Sequence, residues 1–266
     1  MLSPLYGQLS PLRVPTKAVR FISSDADVES YVLAVEEADG QQLESGVISA
    51  YEDFVVGCKS DGIWTAIKAS CILAGARTLN GALVPLVGSS PTNNNFVSGD
   101  YDRETGLKGN GSTKYLNPNR SGATKDNAHN AVYVNSAPTL TIARTFIGYT
   151  GNSTDRTLLD SNTNGSLGSW FQTNSASSVS GQATTLGLKG HSRNNSTNYV
   201  IRSGGNNTTI TKASGAVANV AHFVFWRSGT LYSDARLQFY SIGESLDLAA
   251  LDTRVSTLMT DLAAAI

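Results

Sequence analysis

From about residue 80 onward the chain breaks into short apolar runs separated by turn-rich stretches dense in Asn and Gly, and this rhythm constrains the fold more than any other feature. Strand-length candidates are 82–87, 113–116, 131–134, 140–148, 157–160, 168–172, 184–189, 199–202, 208–211, 221–227 and 236–241. Between them lie turn segments such as 91–95, 152–155 and 162–165. Many short strands at this spacing predict a sandwich or barrel, in which two faces bury alternate residues. The run His222–Trp226 is almost wholly apolar or aromatic, so a central strand is expected there.

The rest of the chain has helical spacing. Val28, Tyr31, Val32 and Val35 repeat at helical intervals after a capping Ser24 or Asp25. Leu43, Val47, Tyr51, Phe54, Val55 and Cys58 form a second stripe, and Ile63, Trp64, Ile67 and Cys71 a third. Leu248, Leu251, Val255, Leu258, Met259 and Leu262 form a C-terminal stripe behind a capping Ser245. That helix either packs on the N-terminal helices or makes a subunit contact. Ahead of all this, residues 1–22 hold Pro4, Pro11 and Pro15, so an extended arm is expected. Its Leu5, Tyr6, Leu9, Leu12 and Val14 are too apolar for a free tail. They are read as an assembly arm lying on its own domain or on a neighbouring subunit. The expected fold class is α+β, mainly β. Its parts are an arm (1–22), a helical assembly segment (23–80), a β-sandwich (81–244) and a terminal amphipathic helix (245–266).

Charge excludes some roles. The formal net charge is -1, and only 15% of residues are charged, so no strong basic field for nucleic acid exists. No uncharged apolar run approaches the roughly 18 residues of a membrane span, and membrane insertion is not expected. The first residues lack the basic head and apolar stretch of a secretory leader, so synthesis in a cytoplasm is expected. Cys58 and Cys71 fall on separate predicted helices too far apart for a bridge, which predicts two buried free thiols.

Three phrases resemble a known family. The segment Tyr101–Leu116, with its Gly-Leu-Lys-Gly-Asn-Gly-Ser-Thr-Lys-Tyr-Leu core, resembles an early strand of phage-encoded concanavalin-A/laminin-G-like domains. The closing phrase Phe239–Leu246 followed by an amphipathic helix is similar to the same proteins. Asp53–Lys68 together with Cys71–Arg77 resembles a block in virion proteins of marine and freshwater tailed phages, cyanophages among them. The resemblance spans roughly residues 24–266. It implies a concanavalin-A-like jelly-roll sandwich on the outside of a particle. It also implies a tail- or fibre-associated virion protein, homo-oligomeric with a trimer as the expected state, whose partners are other virion proteins and a host-surface glycan. A head decoration protein without a ligand is the alternative.

For an enzyme, the residues offer little. His129, His191 and His222 are scattered, with His129 and His191 read as lying in Asn/Ser-rich loops and His222 as a satisfied core histidine. No nucleophile elbow and no cluster of acids alternating along a strand appears. A non-enzymatic chain without a required cofactor is therefore expected. Asp100 and Asp102, alternating with Glu104 near Asn93–Asn95, offer hard oxygen ligands to Ca²⁺, or else close local turns. A glycan needs an aromatic platform beside polar loops. Trp170, Tyr149 and Tyr199 are the candidates, with Phe171 and Tyr232 as further ones. Each is alternatively sandwich core.

Overall fold

The computed structural model describes residues 22–152, 155–173, 175–227 and 229–266, so the arm residues Leu5, Tyr6, Leu9, Leu12 and Val14 lie outside it. Three layers stack. A helical layer comprises α1 (Ala26–Asp39), α2 (Ser45–Ser60) and the C-terminal α4 (Leu248–Ala265). It covers one face of an eight-stranded antiparallel sheet, and a seven-stranded sheet packs on the other face.

The helix-side sheet holds β1 (Ile67–Ile72), β3 (Tyr101–Asp102), β4 (Gly106–Lys108) and β6 (Ala128–Ser136). Its other strands are β11 (Gly187–Arg193), β12 (Asn198–Ser203), β13 (Asn206–Thr211) and β15 (Arg236–Gly243). The order is β13-β12-β11-β6-β15-β4-β3, with β1 also pairing on β15. The outer sheet holds β2 (Thr92–Asn94), β5 (Tyr115–Asn117), β7 (Arg144–Asn152) and β8 (Asp155–Ser161). It is completed by β9 (Leu167–Phe171), β10 (Ser177–Val179) and β14 (Phe223–Val224), in the order β10-β9-β8-β7-β14-β5-β2. The expected α+β, mainly β sandwich with flanking helices is therefore the observed one.

Local chemistry explains the helices. Asp25 caps α1 by accepting from the amides of Asp27 and Val28 at 3.0 and 3.4 Å, which satisfies donors that a first turn leaves free. Gly40 ends the helix at φ 70°, a left-handed position where glycine carries no steric cost. The predicted stripe of α4 is buried at every position named above. It packs against α2 and over β11, so the intramolecular option holds.

Two expected elements differ. The third helical stripe is the strand β1, whose Ile67 and Ile72 face the helices while Ala69 and Cys71 face the other sheet. A strand buried on both faces is apolar throughout, and a short run of that kind mimics a helical stripe. Part of the segment 23–80 thus belongs to the sandwich. The strand expected at 82–87 is instead a one-turn helix α3 (Leu79–Ala82), followed by a single bridge from Val87 to Ser70. Thr78 caps that turn at the Gly81 amide, and Asp39 fixes it by accepting from the amides of Arg77 and Thr78.

Two cores result. One lies between helices and sheet and includes Tyr51, Phe54, Phe239 and Leu258, with the Phe54 and Phe239 rings edge-on at 5.6 Å. The other lies between the sheets and includes Phe146, Ile147, Leu159, Phe171 and Tyr240. One strand breaks its apolar character: Lys189, His191 and Arg193 of β11 all have zero exposure. Lys189 donates to the Gln182 carbonyl, Thr185 Oγ1 and Ser203 Oγ, and Arg193 to the carbonyls of Phe171, Asn195 and Lys212. Burial lowers the Lys189 pKa to about 7.

Candidate functional site

Among the described residues no helix covers the outside of the seven-stranded sheet, and its side chains set what those residues present there. In β5, Leu116 is buried between the sheets, so by strand alternation Tyr115 and Asn117 point outward. In β14, Val224 points in and Phe223 out. The chain then turns away from the sheet at Phe225 and returns through Tyr232. As a result Tyr115, Phe223, Trp226 and Tyr232 meet in one half-buried patch. Trp226 and Tyr232 stack at 5.5 Å and 15°. Tyr115 sits 4.4 Å from Trp226 and 5.7 Å from Phe223.

The backbone at this patch is held in costly conformations. Phe225, at φ 69°, immediately precedes Trp226, and Leu231, at φ 65°, immediately precedes Tyr232. A left-handed L-residue without a short polar side chain costs about 1–2 kcal/mol. Hydrogen bonds enforce both bends. Phe225 donates to the Phe146 carbonyl and accepts from Ser233, while the Leu231 carbonyl accepts from Thr145. The Arg144 guanidinium adds donors to the carbonyls of Tyr232 and Gly111 at 3.0 and 2.9 Å. Strain of this kind collects where a surface must be shaped, and here it sets the two stacked rings.

The cations bordering the patch are each neutralised. Lys114, beside Tyr115, pairs with Asp100 at 2.5 Å. Arg227, beside Trp226, pairs with Asp160 at 3.3 Å, and Arg144 faces Asp234 at 3.8 Å. Burial pushes the Asp160 carboxyl up to about 6, against the pull of Arg227.

The residues singled out from the sequence fall in several places. Tyr149 and Tyr199 are not a platform: both are 1% exposed and point between the sheets. The Tyr149 hydroxyl reaches Asp155, and that of Tyr199 donates to the Ser169 carbonyl. Their strands place them on the inward side of the alternation. Phe171 is likewise buried, stacked on His191 at 3.8 Å. Trp170 is half-buried on the outer face of β9, where its ring overlies Gly168, but it stands apart from the four-ring cluster. Tyr115, Phe223 and Trp226 were not singled out. Their alternation with Leu116 and Val224 is the signal that finds them.

Asp100 and Asp102 serve local structure. Asp100 holds Lys114 and accepts from the Val97 amide, and Asp102 closes a turn with the amides of Glu104 and Thr105. Among the described residues no group of three or more His, Cys, Asp or Glu is placed to hold a metal ion. His129 and His191 lie on strands β6 and β11, fully buried, and not in loops. His222 is buried, yet neither ring nitrogen has a partner among the described residues, so it is not satisfied. Burial brings His129 down to about 4 and His222 to about 3, so both rings are neutral at ordinary pH. Cys58 and Cys71 are free and buried, as expected, and burial pushes both thiols up to about 12.

No protein-family model and no curated protein matches the chain. Some solved structures match parts of the chain at low similarity. The Ruminococcus gnavus IT-sialidase CBM40 bound to α2,3-sialyllactose is 10% identical at a TM-score of 0.39, over 48% of this chain and 82% of that one. The botulinum neurotoxin serotype D binding domain is 13% identical at a TM-score of 0.47, over 76% of this chain and 52% of that one. A mutant of Trypanosoma rangeli sialidase displaying trans-sialidase activity is 12% identical at 0.46, over 82% and 39%.

Proposed function

We propose that this chain is a non-enzymatic glycan-binding protein of a phage particle. The outer face of the seven-stranded sheet contacts saccharide, and the helical layer with the N-terminal arm joins the particle. The observation that carries the reading is the four-ring patch, because both of its stacked rings follow non-glycine residues held at positive φ. A fold that meets this cost twice within seven residues, on a face that no other layer of the described residues covers, is shaping a surface for contact. Apolar sugar faces stack on such rings, and the Asn94 and Asn117 side chains on neighbouring strands supply amide donors and acceptors beside them. The phage context rests on the three sequence phrases, and the oligomer expected from them, a trimer, multiplies weak single sites.

Glycan-array binding of the intact chain tests the contact role. We expect signal from the wild type and its loss in Trp226→Ala at unchanged far-ultraviolet circular dichroism. Equal binding by the variant would remove the patch from the function. Antibody labelling of particles tests the location. Label at the tail agrees with the reading, and label over the capsid shell favours the decoration role.

A further inference from the structure

Unlike the paired cations at the aromatic patch, the Arg120 side chain has no partner among the described residues. Among the described residues its guanidinium makes no hydrogen bond or ion pair, and its Nε is buried without an acceptor. It lines an open cleft of about 310 Å3 between the segments 120–124 and 217–219, with Gly122, Thr124, Val217 and Asn219 around it. That volume lies within the range of small-ligand sites. The cleft continues the outer face. Ser121 bridges Ala221, which lies two residues before Phe223 of the patch, a span of about 7 Å along a strand.

The guanidinium that lines the cleft has no acceptor among the described residues, so an incoming anion can pair with it through charge-assisted hydrogen bonds. We propose that the Arg120 cleft is an anion subsite, and that the glycan bound at the adjoining aromatic patch carries a carboxylate or sulfate there. The identification of the anion as part of a glycan rests on the reading given above; the subsite itself does not. The Asp155 carboxylate, which accepts from the Ala218 amide of the cleft lining, has its pKa raised by burial, and His222 just behind the cleft brings no positive charge, since burial and then Arg120 itself keep it neutral. Arg156, on the outward side of β8, is a second guanidinium with no ion pair among the described residues, and its Nε is also buried without an acceptor.

Nitrogen-15 nuclear magnetic resonance on the full chain tests this. Sodium sulfate, glucuronate and neutral methyl glucoside are titrated separately at constant ionic strength held with chloride. Sulfate and glucuronate are expected to shift the Arg120 Nε–H and Gly122 amide signals saturably, and the glucoside to leave them in place. Arg120→Gln should weaken glucuronate binding at least tenfold, read at Gly122, while Arg120→Lys retains part of it. Absence of a saturable shift with either anion, or an Arg120→Gln chain that binds as before, overturns the subsite. The two ideas fail separately. Anion shifts at Arg120 with no response of the Trp226 indole to any oligosaccharide, neutral or acidic, would leave the subsite standing and remove the glycan reading.

Discussion

The two sheets of this sandwich are built on the same alternation, yet their outer faces have opposite fates. The outward residues of the helix-side sheet, among them Ala131, Leu188 and Phe239, are sealed beneath α2 and α4. The outward residues of the other sheet include Tyr115, Phe223 and Trp170, all half-buried and none roofed by a helix among the described residues. The first face is packed for stability, with relaxed backbone and interlocking apolar side chains. The second carries left-handed Phe225 and Leu231, paired charges and stacked rings. The difference teaches that aromatic content alone does not mark a binding face. What marks it is aromatic content that is held at a conformational cost and left uncovered.

The largest test concerns the sealed face. Phe239→Ala removes a ring packed on Phe54 and should cost about 3–5 kcal/mol in denaturant unfolding. A cost below 1 kcal/mol would show the helical layer to be loosely attached and the contrast between faces to be false. Between the sheets, Lys189 should give stability a pH slope. Its pKa falls from 10.5 in the unfolded chain to about 7 when folded, so the unfolded state holds more protons between those values. The destabilisation is full below about pH 7 and is relieved as pH rises toward 10. Stability should therefore rise by about 2 kcal/mol from pH 7 to pH 9, and Lys189→Met should flatten the rise. Denaturant midpoints at both pH values measure it.

On the open face, Trp226→Ala should weaken glycan binding at least tenfold while lowering stability by only about 1–2 kcal/mol, since its rings meet others edge-on or stacked. A stability loss as large as that of Phe239→Ala would make the patch a core and sink the distinction. The smallest effect is expected on the exposed rim of the helical layer. Arg254 of α4 pairs with Asp61 at 2.7 Å in the open, and Arg254→Ala should change unfolding free energy by less than about 1 kcal/mol. Thermal melts at low and high salt check it.

Much of this architecture was legible in the residues. The stripes of α1, α2 and α4 follow from periodicity, because each has one buried face, and most strands follow from short apolar runs set between turn-rich stretches. β1 was not legible, since burial on both faces erases the period that distinguishes a strand from a helix. The site was legible only in part. His222–Trp226 reads as one continuous strand, and nothing in its side chains announces that Phe225 turns left-handed and ends the pairing after two residues. That bend is imposed by partners distant in sequence, Phe146 and Ser233. Tyr149 and Tyr199 look like surface aromatics in polar surroundings, and only the register of β7 and β12 turns them inward. The solitary state of Arg120 likewise depends on which carboxylates the fold brings near it.

One pairing carries a consequence for how the polypeptide acquires its shape. β15 is the hub of the helix-side sheet: it joins β6 on one edge and β1 and β4 on the other, linking Ile72 with Phe239. During synthesis the early segments must wait, unzipped and half-exposed, until about 170 further residues have left the ribosome. Such a chain is expected to fold slowly and late, and to lean on holding factors while it is still growing.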